Sequence, residues 1–293
     1  VSTILLTGKN GQVGWELQRT LMPLGKIVAL DAEELDLANP EAIRQAVKSI
    51  QPDIIVNPAA YTAVDKAESE PELAYAVNGV APGILAEEAK RLNALVVHYS
   101  TDYVFDGTKA DAYIESDRPN PQNVYGRSKL AGEEAIRAVG GKHLILRTSW
   151  VYGGRGHNFM LTMLRLARER KEMRIVDDQV GAPTWCRSLA EVTAQILAQL
   201  RGYAMKNSAE EANGTYHLAS SGSVSWHGFA AEILRLAGAQ PMPQLVAIAS
   251  HEYPAPAARP KNSVLSSEKL NRTFGLEAGN WQDNLRLCLQ EMK

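Results

Sequence analysis

Cysteine is almost absent from this chain: two in 293 residues, Cys186 and Cys288, far apart and without a CxxC pair. That scarcity excludes a disulfide framework and a cysteine-rich zinc site, and it suits a reducing compartment, so a cytoplasmic location is expected. The six histidines, His98, His143, His157, His217, His227 and His251, show no HExxH or related spacing, and no metal is expected. Lysine and arginine never gather into a block. With 31 basic and 33 acidic side chains the net charge is −2, which gives a nucleic-acid partner no electrostatic basis. No apolar run is long enough to span a bilayer and no signal-peptide pattern is visible, so no membrane partner is expected. Low-complexity tracts and repeats at solenoid spacing are missing too.

What remains is a chain that is 45% hydrophobic, sufficient for one large α/β domain or a domain with an added lobe. Its first half alternates short apolar runs with helical segments. Strand signals fall at 3–8, 26–31, 53–60, 94–105 and 142–153. Between them, 14–25 has helical spacing and closes on Pro23 and Gly25. Asn39 and Pro40 offer a cap and a first helical position for 39–50, and 71–93 is helical with a break near Gly79 to Pro82. Strands apolar on both faces and separated by helices predict a parallel sheet covered on both sides, a doubly wound (Rossmann-type) α/β fold. Ligands in such folds lie at the carboxyl ends of the strands. After about residue 153 the rhythm changes, and a Pro-rich stretch, "YPAPAARPKNSVL", precedes a terminal helix. The expected division is a dinucleotide-binding domain at 1–150, with returning segments at about 187–222, and a smaller substrate-binding lobe from 151–186 and 223–293.

"GKNGQVG" follows the first strand and opens the first helix, the context in which such glycines are informative. Gly8 permits the tight turn, Gly11 lets backbone approach a pyrophosphate, and Gly14 allows close helix–sheet packing. The helix start offers unpaired N–H groups and partial positive charge to phosphates. The spacing is GxxGxxG, and a glycine-rich turn without a ligand would look similar. Asp31 closes the second strand, where dinucleotide folds place an acid for ribose hydroxyls and against a 2′-phosphate. A turn acid would look the same there. Asp36, Leu37, Ala59, Ala60 and Tyr61 stand at the next strand ends and could border the adenosine and ribose.

"HYSTDYVF" brings Tyr99, Ser100, Thr101 and Asp102 to a strand end, and "YGRSK" follows downstream. Tyr125 and Lys129 are four apart and share one helix face. A free tyrosine has a pKa of about 10, and a neighbouring ammonium favours its phenolate. With a hydroxyl from Thr101 on the substrate oxygen, such a set could deliver a proton to a ketone as hydride arrives, with no metal. Tyr-xxx-Lys alone is weak evidence. Its weight comes from following a glycine-rich turn and a Ser-Thr-Asp strand end in that order.

That order resembles the extended short-chain dehydrogenase/reductase superfamily. The blocks "TAVDKAESEPELAYAVN", "HYSTDYVFDG", "NVYGRSKLAGE", "RTSWVYG", "DDQVGAPT" and "ARPKNSVL" together resemble the dTDP-4-dehydrorhamnose reductase family across nearly the whole chain. The resemblance implies NADH or NADPH as cofactor and reduction of the C4 ketone of dTDP-6-deoxy-L-lyxo-4-hexulose to dTDP-L-rhamnose. It further implies Thr101, Tyr125 and Lys129 as catalytic residues. Gly11, Gln12, Val13, Asp31, Asp36, Leu37, Ala59, Ala60, Tyr61 and Tyr99 would line the cofactor. Val64, Thr101, Asp102 and Trp150 would meet the sugar nucleotide. Arg259, in its Pro-rich loop, could pair with the diphosphate. Pro58 departs from the pattern, where a small residue such as alanine is expected. Two other readings stay open: a non-catalytic regulator resembling the methionine adenosyltransferase β subunit, and another sugar-nucleotide reductase or epimerase. A monomer or homodimer is expected.

Overall fold

Short apolar runs and intervening helices build one six-stranded parallel sheet. The computed structural model describes residues 2–201 and 212–292. The first five strands are β1 (Thr3–Thr7), β2 (Lys26–Leu30), β3 (Ile54–Asn57), β4 (Leu95–Thr101) and β5 (His143–Thr148), and the sixth is the edge strand Gly214–His217. Their order is Gly214–His217, β5, β4, β3, β1, β2, all parallel, so the direction of winding reverses between β1 and β3. Ile4 and Leu6 of β1 enter one core cluster and Leu5 the other, the two-residue alternation of a strand buried on both faces.

Helix α1 (Gln12–Thr20) packs on the first face beside the helix Cys186–Arg201. Leu270 and Phe274, from the helix Glu268–Phe274, join the same cluster. The second face carries α2 (Pro40–Ile50), whose cap Asn39 accepts from the N–H groups of Glu41 and Ala42 ahead of Pro40 in the first turn. After it come the short α3 (Val64–Ala67) and α4 (Pro71–Tyr75), then α5 (Ala81–Arg91) and α6 (Val124–Val139). Between α4 and α5 the chain stays helical through one π turn, Ala76–Val80, where the sequence predicts a break. Pro82 has no N–H to give the Asn78 carbonyl, and a wider turn accommodates the missing bond.

The expected fifth strand, 142–153, is shorter than its apolar run. β5 ends at Thr148, and Trp150 takes a left-handed φ of +47°. The chain then leaves the sheet, and Val151–Tyr152 pairs with Thr184–Trp185 instead. A third cluster, with Tyr152, Trp185, Phe229 and Trp281, forms a separate core beyond that turn.

α6 is fastened to the sheet by a buried ion pair. Arg147 of β5 donates from Nε and Nη2 to Glu133 Oε1 and Oε2 at 2.8 and 2.6 Å. Ser100 Oγ adds a bond of 2.5 Å, and Arg137 one of 3.1 Å. Burial pushes the Glu133 carboxyl up, but the hydrogen bonds and charge of Arg147 outweigh it and hold the group below the usual 4.5. Removing the cation alone leaves an uncompensated buried carboxylate, so Arg147→Met should lose about 3–5 kcal/mol in denaturant unfolding at pH 7. A depressed carboxyl stabilises fully above its unfolded value and loses that contribution as pH falls through the folded one. The gap between wild type and variant should therefore narrow below pH 4.5; equal stabilities at pH 7 would refute the anchoring role.

Candidate active site

A cleft of about 750 Å³ opens at the carboxyl ends of β1 and β3, where the winding reverses. Its floor is the turn from β1 into α1. Gly8 has φ +62°, and a Cβ on Gly14 would stand 2.1 Å from the Gly8 carbonyl oxygen, so this helix can approach the turn only through glycine. Gly11 caps α1 with no side-chain hydrogen bond, and the first turn holds no acid. The leading N–H groups, at Gln12 and Val13, are thus left for an anion in the cleft.

One rim is acidic. Asp31 follows β2 and lines the cleft with Glu33, Asp36 and Leu37. Its carboxylate accepts from Asn10 Nδ2 at 2.5 Å and from the Glu33 N–H at 3.1 Å, so it braces its turn while facing the cleft. The neighbouring Glu34 is paired with Lys9. Ala59 and Ala60 form the wall after β3. Pro58 lines it too, and the β3–β4 register continues through Asn57↔His98, so the proline lies beyond the last paired residue.

The opposite wall brings Tyr99, Tyr125 and Lys129 into the cleft. Asn123 caps α6 through the Gly126 N–H at 2.7 Å, which fixes where the Tyr125–Lys129 face begins. Burial pushes the Tyr125 phenol up to about 12; contact with Thr101 pulls the other way and the Asp102 charge adds to the rise. The expectation that Lys129 favours phenolate is therefore not met in this cleft. The ammonium instead donates to the Tyr99 carbonyl oxygen at 2.6 Å. Burial draws its pKa down to about 8, against an upward pull from Glu133. Tyr125 is consequently a protonated donor at neutral pH.

Thr101 Oγ1 donates to Asp102 Oδ1 at 2.8 Å and accepts the Tyr103 N–H at 3.1 Å. Its hydrogen is directed away from the cleft. Asp102 is 2% exposed; burial pushes its carboxyl up to about 6, with Ser263 and Thr101 opposing. Thr101, Asp102, Tyr61, Val64, Trp150 and Arg259 are not among the cleft's lining residues. Tyr61 donates to Glu70 Oε2 at 2.7 Å. Val64 opens α3, beside Asp65, and Asp65 accepts from Arg259 Nη2 at 2.7 Å. Trp150 stacks on Trp226 with centroids 3.5 Å apart and planes within 5°. Sequence reasoning missed Thr7, Asn10, Val77, Thr148, Gly156 and His157, all in the lining. A signal for the last two existed: "GGRGHN" is glycine-rich, and its Asn158 donates to Gln12 Oε1 at 2.8 Å. Among the described residues no group of three or more His, Cys, Asp or Glu is placed to hold a metal.

The family described as RmlD substrate binding domain matches residues 2–293. A dTDP-4-dehydrorhamnose reductase of Burkholderia thailandensis is 52% identical over 297 residues, covering 99% of this chain and 98% of that one. The dTDP-4-dehydrorhamnose reductase of Escherichia coli K12 is 46% identical, over 99% and 97%. The crystal structure of a dTDP-4-dehydrorhamnose reductase from Bacillus anthracis, in complex with NADP, superimposes with a TM-score of 0.90 at 37% identity, covering 99% of each chain. A UDP-glucose 4-epimerase from Thermus thermophilus, in complex with NAD, shares the fold at a TM-score of 0.81 and 20% identity.

The acidic rim makes a testable demand. Asp31→Ala should raise the kcat/KM ratio for NADPH over NADH by about tenfold or more if, as proposed, its carboxylate repels a 2′-phosphate. An unchanged ratio would reduce Asp31 to a brace for its turn.

Proposed function

This chain belongs to the dTDP-4-dehydrorhamnose reductase family, and on that footing we propose that it reduces the C4 ketone of dTDP-6-deoxy-L-lyxo-4-hexulose to dTDP-L-rhamnose with NADH or NADPH. The observation that carries the reading is the convergence of the uncapped α1 N-terminus with Tyr125 and Lys129 in one cleft. The residues suit the cofactor. Gly8, Gly11 and Gly14 leave backbone room for a pyrophosphate, Gln12 and Val13 offer N–H donors, and Asp31 and Asp36 suit ribose hydroxyls. Bound there, a reduced nicotinamide would supply the hydride for the carbonyl carbon.

The chain's own residues handle the proton. Tyr125 is held protonated by burial and gives its hydrogen to the carbonyl oxygen as negative charge grows there. Lys129, oriented by the Tyr99 carbonyl, brings positive charge to the cleft wall that carries the phenol and would hold the cofactor ribose. Thr101 contacts the phenol while its own hydrogen engages Asp102, so it positions Tyr125. For Thr101 to share the substrate oxygen, that hydrogen would have to leave Asp102. Residues 1–150 with about 187–222 would form the dinucleotide-binding part, of which 202–211 lie outside the described residues; 151–186 and 223–293 would hold the sugar nucleotide. Val64, Asp102, Trp150 and Arg259 belong to that second site in this reading, Arg259 as a diphosphate donor pre-aimed by Asp65. No described helix is long and apolar enough to cross a membrane. The two buried free cysteines suit a reducing compartment, and we place the enzyme in the cytoplasm.

Product analysis with dTDP-6-deoxy-L-lyxo-4-hexulose and reduced cofactor tests the reading directly. Failure of a folded, cofactor-binding protein to form dTDP-L-rhamnose would sink it. Tyr125→Phe should still bind reduced cofactor and should lose turnover by about 10²–10⁴; full turnover at neutral pH would remove the phenol from the chemistry. Arg259→Ala should raise KM for the nucleotide sugar about 10–100-fold and leave cofactor affinity unchanged.

A further inference from the structure

A line of buried polar side chains runs across three neighbouring strands, from Lys129 to the β1 end of the cleft. Lys129 Nζ lies 3.3 Å from Nε2 of His98 on β4. Nδ1 of that ring lies 3.1 Å from the side-chain amide of Asn57, its registered neighbour on β3. The far side of the amide is 2.6 Å from the hydroxyl of Thr7, which ends β1 and lines the cleft. Lys129, His98, Asn57 and Thr7 are all between 0% and 2% exposed. The proton transfer to substrate uses none of the last three.

Only two arrangements of hydrogens satisfy this line, because each nitrogen of a neutral imidazole has one role and an ammonium has no lone pair. When Lys129 is charged it donates to Nε2. The ring proton is then on Nδ1 and needs an acceptor, so Asn57 turns its oxygen to the ring and donates its amide hydrogen to Thr7. The Thr7 hydrogen is left free to point into the cleft. A neutral Lys129 keeps N–H donors but gains a lone pair, and every bond can then reverse. The ring donates from Nε2 to the amine, Asn57 donates to Nδ1, and Thr7 gives its hydrogen to Asn57. The recorded amide orientation is the second, and the two orientations differ by a half-turn of a group whose ends have the same shape.

We propose that His98 is a positioning residue for the reductase: through Asn57 it couples the charge of Lys129 to the direction of the Thr7 hydroxyl. An ionised lysine fixes that hydroxyl as a donor toward the cleft, and a neutral lysine releases it to become an acceptor. His98 is fit for this because it stays neutral; burial holds it well below its ordinary range and the Lys129 charge adds to that. Lys129 itself can change charge near neutral pH, since burial brings it to about 8. The other ionisable groups around it are Tyr125 and Glu133 on α6, with Glu133 neutralised by Arg147 of β5 and Arg137 of α6. Asp102 acts on Tyr125 from the end of β4.

The consequence for turnover rests on the reductase reading, but the line of side chains is a property of the cofactor-free protein and is tested there. Side-chain ¹⁵N NMR of His98 in the full chain should show the Nδ1–H tautomer below pH 7 and the Nε2–H tautomer once pH passes about 8, where Lys129 loses its proton. A single tautomer across that range, whichever it is, overturns the proposal. His98→Leu removes an acceptor from the ammonium, so the basic limb of the kcat/KM profile should move down by about one pH unit. His98→Gln, whose amide oxygen can accept from Lys129, should move it back toward wild type. An unmoved limb in a folded Leu variant also overturns the proposal. A protein that switches tautomer yet makes no dTDP-L-rhamnose would sink the reductase reading and leave the coupling standing.

Discussion

An ammonium with 2% exposure is tolerable only where fixed dipoles replace water, and the placing of Lys129 governs much of this structure. Tyr99 supplies the nearest dipole from the β4 backbone at 2.6 Å. That bond requires α6 to lie directly on β4, and the same helix face repeats the demand every four residues. Tyr125 stands at the cleft, Lys129 beneath it, and Glu133 deeper still against Arg147. One stripe thus runs from phenol to ammonium to carboxylate, with opposite charges adjacent and the cost of burial shared along it. The proposed catalytic pair and the anchoring pair are parts of one helix–sheet contact.

The other half of the cleft is built on absence. Where α1 begins there is no capping side chain, no acid and no Cβ at Gly14, and each omission leaves something for a ligand: N–H groups, positive potential, and room. The acids stand apart on the β2 side, where Asp31 and Glu33 face the cleft. Charge is therefore sorted within a single opening, with the α1 end ready for phosphate and the far rim ready for hydroxyls.

Features that depend on neighbours in sequence were legible in it. Gly8 and Gly14 read correctly as a turn and a close helix approach, Asn39 and Pro40 as a helix start, and Tyr125 with Lys129 as one helix face. Features that depend on contacts across the sheet were not. Nothing near His98 announces Asn57, because the pairing exists only once β3 and β4 are in register. Arg259 gave no sign of Asp65, 194 positions away. The fifth strand was overrun for a related reason. Its apolar run continues past Thr148, but the left-handed turn at Trp150 comes from tertiary packing against Trp226, which local preference does not anticipate. The phenol's acidity was misjudged because sequence spacing reveals neither its burial nor that Lys129 is turned to the Tyr99 carbonyl.

The single π turn at Ala76–Val80 gives this segment an unusual relation to insertion and deletion. A π turn is an α-helix carrying one extra residue, so deleting one residue there would restore ordinary pitch and keep the flanking turns aligned, where the same deletion in a regular turn would rotate everything after it by about 100°. Asn78 sits inside that turn. It accepts from the Tyr61 N–H at 2.9 Å and donates to the Tyr61 carbonyl and to Ser128 Oγ, both at 3.0 Å, joining the loop after β3 to α6. A one-residue deletion would thus straighten the helix at the expense of the turn that aims Asn78 at both partners.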